Sequence, residues 1–217
     1  MAGKDLTQQF ELDRQISGGE ENPYKARFIQ LVKENIKREG IDALMNWLET
    51  RTDFYTAPAS GRYHCACPQG LVMHSLNVYD VLMEKHFDPA EDNPESAAIA
   101  ALFHDLCKVQ FYKVSTRNVK NEQTGAWEKV PYYAIEDMFP FGHGEKSVYL
   151  AERFIRLKPE EAMAVRWHMG GFDESVKGGS FALSHAYEKY PLAVKLHLAD
   201  LEASYLREKG TSVVNNR

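Results

Sequence analysis

Residues 97–108 read Ala97-Ala-Ile-Ala-Ala-Leu-Phe-His104-Asp105-Leu-Cys-Lys108. An unbroken apolar run from Ala97 to Phe103 leads straight into an imidazole and a carboxylate. A helix that is apolar on nearly every side is buried. His104 and Asp105 therefore begin inside the protein or on the floor of a cleft. A buried carboxylate without a partner costs several kcal/mol, so such groups are paired or bound to metal. Other helices supply the partners. In the stretch from Gln69 to His86, Leu71, Val78, Val81 and Leu82 form an apolar stripe, and His74 lies on it. In the last long helix, Ala193, Leu196 and Ala203 form the inward stripe, and Asp200 falls among them. His168 follows Ala164 and Val165 by four and three residues. No Lys or Arg shares these stripes, and imidazole with carboxylate suits a divalent ion.

The chain of 217 residues is 44% hydrophobic and 26% charged, enough for one sizeable core and unlike a disordered sequence. A net charge of −5 and a pI of about 5.9 argue against a polycation that coats nucleic acid. The run from Ala97 to Phe103 is far too short to cross a bilayer. The opening residues MAGKDLTQQFELDRQ carry no visible signal peptide, so a cytoplasmic location is expected. Cys65, Cys67 and Cys107 make no zinc pattern and are expected to be small buried thiols.

Residues 1–22 read as a polar lead. Helical spacing then runs from Pro23 to Leu48 with a break at Gly40, and 53–68 reads as an irregular loop. Further helices are expected at 69–86, 94–107, 144–157, 159–168, 182–189 and 191–208. Phe111–Thr116 and Trp127–Ile135, rich in aromatic and β-branched residues, predict a β-hairpin around Asn121–Gly125, with Pro131 pushing its strand to an edge. The fold class is thus mainly α with one inserted β-hairpin. The expected organisation is an N-terminal helical extension over 1–52 and a functional domain over 53–210.

The phrases Gly70-Leu-Val-Met-His74-Ser, Leu102-Phe-His-Asp-Leu-Cys-Lys108 and Leu198-Ala-Asp200 resemble the HD-domain superfamily of metal-dependent phosphohydrolases, over about residues 54–206. The resemblance implies a helical bundle in which His74, His104, Asp105 and Asp200 hold one metal. His143, in Phe-Gly-His-Gly-Glu-Lys-Ser, and His168, in Arg-Trp-His-Met-Gly, extend the order to that of the two-metal branch. In that branch Asp105 bridges both ions, and His143 and His168 complete the second site. A helical hairpin turning near Lys158-Pro159 brings these two residues together, since its arms are about 22 and 15 Å long at roughly 1.5 Å per residue. The segment Ala57-Pro58-Ala59 … His64 … Gly70-Leu71 … His74 is similar to HD-domain 3′–5′ exoribonucleases, which carry an additional OB domain that this chain lacks room for.

The implied cofactor is a pair of divalent ions drawn from Fe, Mn, Zn, Ni or Mg. Such a pair creates hydroxide at neutral pH and clamps phosphate oxygens. The expected activity is hydrolysis of a phosphomonoester or phosphodiester in a nucleotide or short oligonucleotide, with no membrane or protein partner. Lys108 is a candidate for stabilising phosphoryl charge beside the catalytic Asp105. Arg62, His64 and Lys146 are candidates for binding substrate. His197, three before Asp200, is a packed or supporting histidine, and His86 and His185 are expected on the surface. The hairpin interleaves Lys113, Arg117, Lys120 and Lys129 with aromatics, which suits either base stacking or packing on the helical body. Gly170–Gly179 suggests a hinged loop. Two other function classes share these ligands: a di-iron oxygenase resembling myo-inositol oxygenase, and a non-catalytic nucleotide-binding module.

Overall fold

A computed structural model describes residues 22–211, so only Asn22 of the expected polar lead lies within the described residues. Asn22 opens helix α1 (Pro23–Asn35), its side-chain oxygen accepting from the amides of Tyr24 and Lys25 at 3.0 Å. Asn, then Pro at the first helical position, is the expected start signal. Gly40 precedes α2 (Ile41–Arg51) with φ of 86°, and a Cβ there would lie 1.9 Å from the Phe154 carbonyl oxygen. Only glycine permits that approach.

An irregular loop leads to α3 (Gly70–Val81), which continues as a π turn over Leu82–His86. Helix α4 (Pro94–Phe103) buries every residue from Ser96 onward. The two strands β1 (Tyr112–Lys120) and β2 (Trp127–Ile135) pair antiparallel from Tyr112↔Ile135 to Lys120↔Trp127. Asn121 makes the turn by accepting from the Gln123 and Thr124 amides. Helices α5 (His143–Glu152), α6 (Pro159–Trp167), α7 (Glu174–Lys177), α8 (Ala182–Lys189) and α9 (Pro191–Glu202) follow, the last widening into a π turn over Ala203–Arg207. The described residues thus form a mainly α fold with one hairpin, as the periodicity predicts. Among them no helix is long and apolar enough to cross a membrane.

Two expected helices end early, and those expected over 69–86 and 191–208 change from α to π pairing at Leu82 and Ala203. The one expected to reach Cys107 stops at Phe103, and the chain turns through His104 and Asp105 into a short 3₁₀ segment, Leu106–Lys108. The one expected to reach Leu157 stops at Glu152, whose side chain accepts the Leu157 amide at 2.8 Å.

The core centres on α3, α4, α6 and α9, with α1 laid across α3 and α4. Phe28 of α1 is fully buried, its ring 5.0 Å from Phe54 and 5.8 Å from Phe103. The hairpin stands away from this core and touches it at its base, where Tyr133 is buried. Its distal residues, Trp127 among them, are exposed.

Glu161, in the first turn of α6, is wholly buried and ties three segments together. Its carboxylate accepts from Arg38 at 2.7 and 3.0 Å, from the Ser96 hydroxyl at 2.7 Å and from the Lys158 amide at 2.7 Å. Burial opposes its charge, but Arg38, the Lys158 amide and Ser96 outweigh it and hold the carboxyl below its ordinary value of 4.5. A depressed folded pKa gives stability that is present above the unfolded value and is lost as pH falls through the folded one. Glu161→Ala removes the nearer of the two carboxylates on Arg38, leaving Glu95 at 3.2 Å, and should cost about 3 kcal/mol at neutral pH. The deficit should shrink below about pH 4, as the parent itself loses the pair. Urea unfolding at both pH values checks this, and a loss under 1 kcal/mol at pH 7 would contradict it.

Candidate metal centre

Five helix segments deliver side chains to one point. Helix α3 presents His74 near its start, and the end of α4 presents His104 and Asp105. His143 is the first residue of α5, His168 follows the last residue of α6, and Asp200 lies within α9. His74, His104, Asp105 and His168 are each at most 1% exposed.

Asp105 sits at the centre, and its two oxygens face different histidine pairs. Oδ2 lies 3.5 Å from His74 Nε2 and 3.3 Å from His104 Nε2. Oδ1 lies 3.0 Å from His143 Nε2 and 3.5 Å from His168 Nε2. Asp200 Oδ1 joins the first group at 3.2 Å from His74 Nε2, and His104 Nε2 stands 3.3 Å from the same nitrogen. Two ligands of one ion, with bonds of roughly 2.1 Å, stand about 3.0–3.4 Å apart at ordinary bond angles. The observed spacings are close to that edge length, and groups such as His74, His104 and Asp200, or His104, Asp105 and His168, could hold an ion.

The outer nitrogens of three rings are already occupied, which turns the inner ones toward the cluster. His104 Nδ1–H donates to the Ala101 carbonyl at 2.8 Å, and His168 Nδ1–H to the Val165 carbonyl at 2.7 Å. His74 Nδ1–H donates to Glu208, 3.0 Å from one carboxylate oxygen and 3.1 Å from the other. Metal-binding histidines characteristically use the far nitrogen in this way. His168 Nε2 is buried and has no hydrogen-bond partner, an orphaned lone pair that an ion would satisfy.

Gly144 allows His143 to reach His168. A Cβ there would lie 2.1 Å from the Arg166 carbonyl oxygen, so α5 can abut the end of α6 only with glycine. The two rings stand 5.1 Å apart, as the helical-hairpin expectation requires.

Charge at the cluster follows its packing. Burial opposes ionisation of Asp105, yet Lys108 and His104 hold it well below the usual carboxylate range. Asp200 is likewise held down by His74 against burial. Burial disfavours charge on His74, but Glu208 and Asp200 outweigh it and raise the imidazole to about 10. An ion bound at His74 Nε2 displaces a proton, so uptake strengthens as pH rises.

The remaining expected residues divide. Lys108 is buried with Nζ 2.6 Å from Asp105 Oδ2, inside the cluster. His64 lines the cavity above it, its ring 4.8 Å from that of His74 and its Nε2 buried without a partner. Burial and the neighbouring His74 lower His64 to about 4, so it is neutral at pH 7. Lys146 is not brought to the cluster. It is buried beneath Phe111 and Phe139, with Nζ 2.6 Å from Asp137. Arg62 is exposed and stacks on Tyr63. His197 Nδ1–H donates to the His168 carbonyl at 2.6 Å, a supporting role. His185 is exposed, while His86 is half-buried beside Glu202.

Glu208 escapes a reading by helical spacing. It points at His74 only because the π turn at 203–207 resets the register of the last helix. Cys107 was expected to be a small buried thiol. It is buried, and its sulfur also lies 3.4 Å from His143 Nδ1. Glu208→Ala should lower affinity for Mn²⁺ or Zn²⁺ about 10–100-fold by freeing His74. Metal titration of the apoprotein measures this, and unchanged affinity would deny Glu208 the orienting role.

No curated protein and no solved structure matches the chain. The family model of the HD domain matches residues 71–204, which spans His74, His104, Asp105, His143, His168 and Asp200. The chain therefore belongs to the HD-domain family, whose members are typically metal-dependent phosphohydrolases.

Proposed function

We propose that the chain is a two-metal phosphohydrolase of this family, nearest in kind to its 3′–5′ exoribonucleases, acting on a nucleotide or short oligonucleotide in the cytoplasm. The observation that carries this reading is the placement of one histidine pair on each oxygen of Asp105. His74, His104, Asp105 and Asp200 would hold one divalent ion, and Asp105, His143 and His168 the other. Fe, Mn, Zn, Ni and Mg are the candidates. Residues 53–210 form the catalytic domain and 1–52 an extension of it. When bound, such a pair activates water and neutralises phosphoryl oxygens.

The chain's own residues account for the rest. A cavity of about 660 Å³ opens over the cluster, walled by Asp105, Lys108, His143, His168 and Asp200. That size suits a mononucleotide or the end of an oligonucleotide. Tyr63, Tyr112, Phe172 and Tyr205 line it and offer faces for a base. Lys177 and Lys209 also line it and supply positive charge for phosphate. Lys108 Nζ lies against Asp105 Oδ2, where its charge favours a phosphoryl group approaching the cluster. Neutral His64 accepts a hydrogen bond from a substrate hydroxyl at Nε2. Arg62, exposed beside Tyr63, meets the chain of a longer substrate.

Metal analysis of anaerobically purified protein, then a nucleotidase and phosphodiesterase panel with Mn²⁺, Fe²⁺ and Mg²⁺, tests the reading. Asp105→Ala should abolish hydrolysis and empty both sites. Lys108→Ala should keep the metal and lower turnover about 10²-fold, the usual cost of one charge-stabilising donor. Full activity in Asp105→Ala would overturn the proposal.

A further inference from the structure

Cys107 is buried beside His143 and Asp105. Its sulfur stands 3.6 Å from His143 Nε2, 3.4 Å from His143 Nδ1 and 3.9 Å from Asp105 Oδ1. Its backbone amide donates to the Ser147 hydroxyl at 3.0 Å, which fixes the 3₁₀ turn that aims the side chain at α5. A sulfur at roughly 2.3 Å and a nitrogen or oxygen at roughly 2.1 Å from one ion stand about 3.6 Å apart at tetrahedral angles. Nearer to Nδ1 than to Nε2, the sulfur flanks the His143 ring, and Asp105, Cys107 and His143 group closely enough to hold one ion once that ring rotates its Nε2 toward the shared point.

A separate observation points to an ion at the same place. His168 Nε2 is buried, has no hydrogen-bond partner and lies 3.5 Å from Asp105 Oδ1. That is the oxygen on the Cys107 side of the carboxylate, 3.0 Å from His143 Nε2. Cys65 has a different setting, with its sulfur 3.7 Å from the Thr211 hydroxyl.

We propose that Cys107 is the fourth protein ligand of the ion held by Asp105, His143 and His168, so that this site presents two nitrogens, an oxygen and a sulfur. The proposal rests on the two-ion reading above. The thiol gives its proton to solvent as the sulfur–metal bond forms, and no electron moves. The two sites then differ in kind. The first, with two imidazoles and two carboxylates, accepts Mn²⁺ or Mg²⁺ readily. The second, with thiolate, favours thiophilic ions such as Zn²⁺, Fe²⁺, Co²⁺ or Cd²⁺ and binds Mg²⁺ poorly.

Anaerobic titration of the metal-free full-length protein with Co²⁺, followed by absorbance, tests this directly. The expected result is two equivalents bound, with a near-ultraviolet sulfur-to-cobalt charge-transfer band rising during one of them. Cys107→Ser should erase that band, keep the visible bands of the first site and weaken one equivalent at least about tenfold. Two equivalents without the near-ultraviolet band, or a band that survives Cys107→Ser, overturn the assignment. Uptake of a single equivalent at saturation defeats the two-ion reading whatever the band shows, so the two failures are separately visible. Cadmium NMR of the unaltered protein needs no variant. One resonance shifted downfield by sulfur supports the assignment, and two resonances both in the nitrogen–oxygen range overturn it.

Discussion

Everything at the centre of this molecule answers to one constraint, the burial of the Asp105 carboxylate. A fully enclosed carboxylate must be compensated, and here the compensation comes from four imidazoles and one lysine around two oxygens. Helix α4 is apolar from Ala97 to Phe103, the stretch that carries that carboxylate to the middle of the bundle. The same helix breaks at Phe103 so that Asp105 can turn both oxygens outward to different partners.

The surrounding packing serves the same end. Glu208, Ala101 and Val165 occupy the outer nitrogens of three rings, leaving the inner nitrogens no role except toward the cluster. His197 fixes the carbonyl of His168 from α9. Gly144 lets α5 close against α6, and Gly40 lets the N-terminal helices close against the segment after α5. Remote from the cluster, the Arg38–Glu161 pair holds the start of α6 in register with α4. These are rigid supports, suited to holding donor atoms at fixed spacing with or without an ion.

What was legible in the sequence followed helical periodicity. His74, Asp200 and His104-Asp105 announce themselves because ionisable groups on apolar stripes break a pattern that is otherwise regular. His168 follows the apolar Ala164 and Val165, but the pairing of His143 with His168 rested on the resemblance to the two-metal branch, and an antiparallel hairpin showed only that the two could meet. Spacing failed where the backbone leaves the α period. Glu208 follows a π turn, and Cys107 sits in a 3₁₀ turn. The direction of the Lys146 side chain was not legible either. A lysine one turn into a helix can point several ways, and Asp137, nine residues earlier, captured it. The hairpin was legible in strand and turn; its aromatics divide, Tyr133 being buried at the base while Trp127 at the distal end is exposed.

The central claim is that one carboxylate separates two ion sites. Anomalous diffraction from crystals soaked in Mn²⁺ or Zn²⁺ measures it most directly. Two peaks, one on each side of Asp105 and about 3.5–4 Å apart, are the predicted result. A single peak bound by His74, His104 and Asp200, with His143 and His168 hydrogen-bonded only to water or protein, would contradict it.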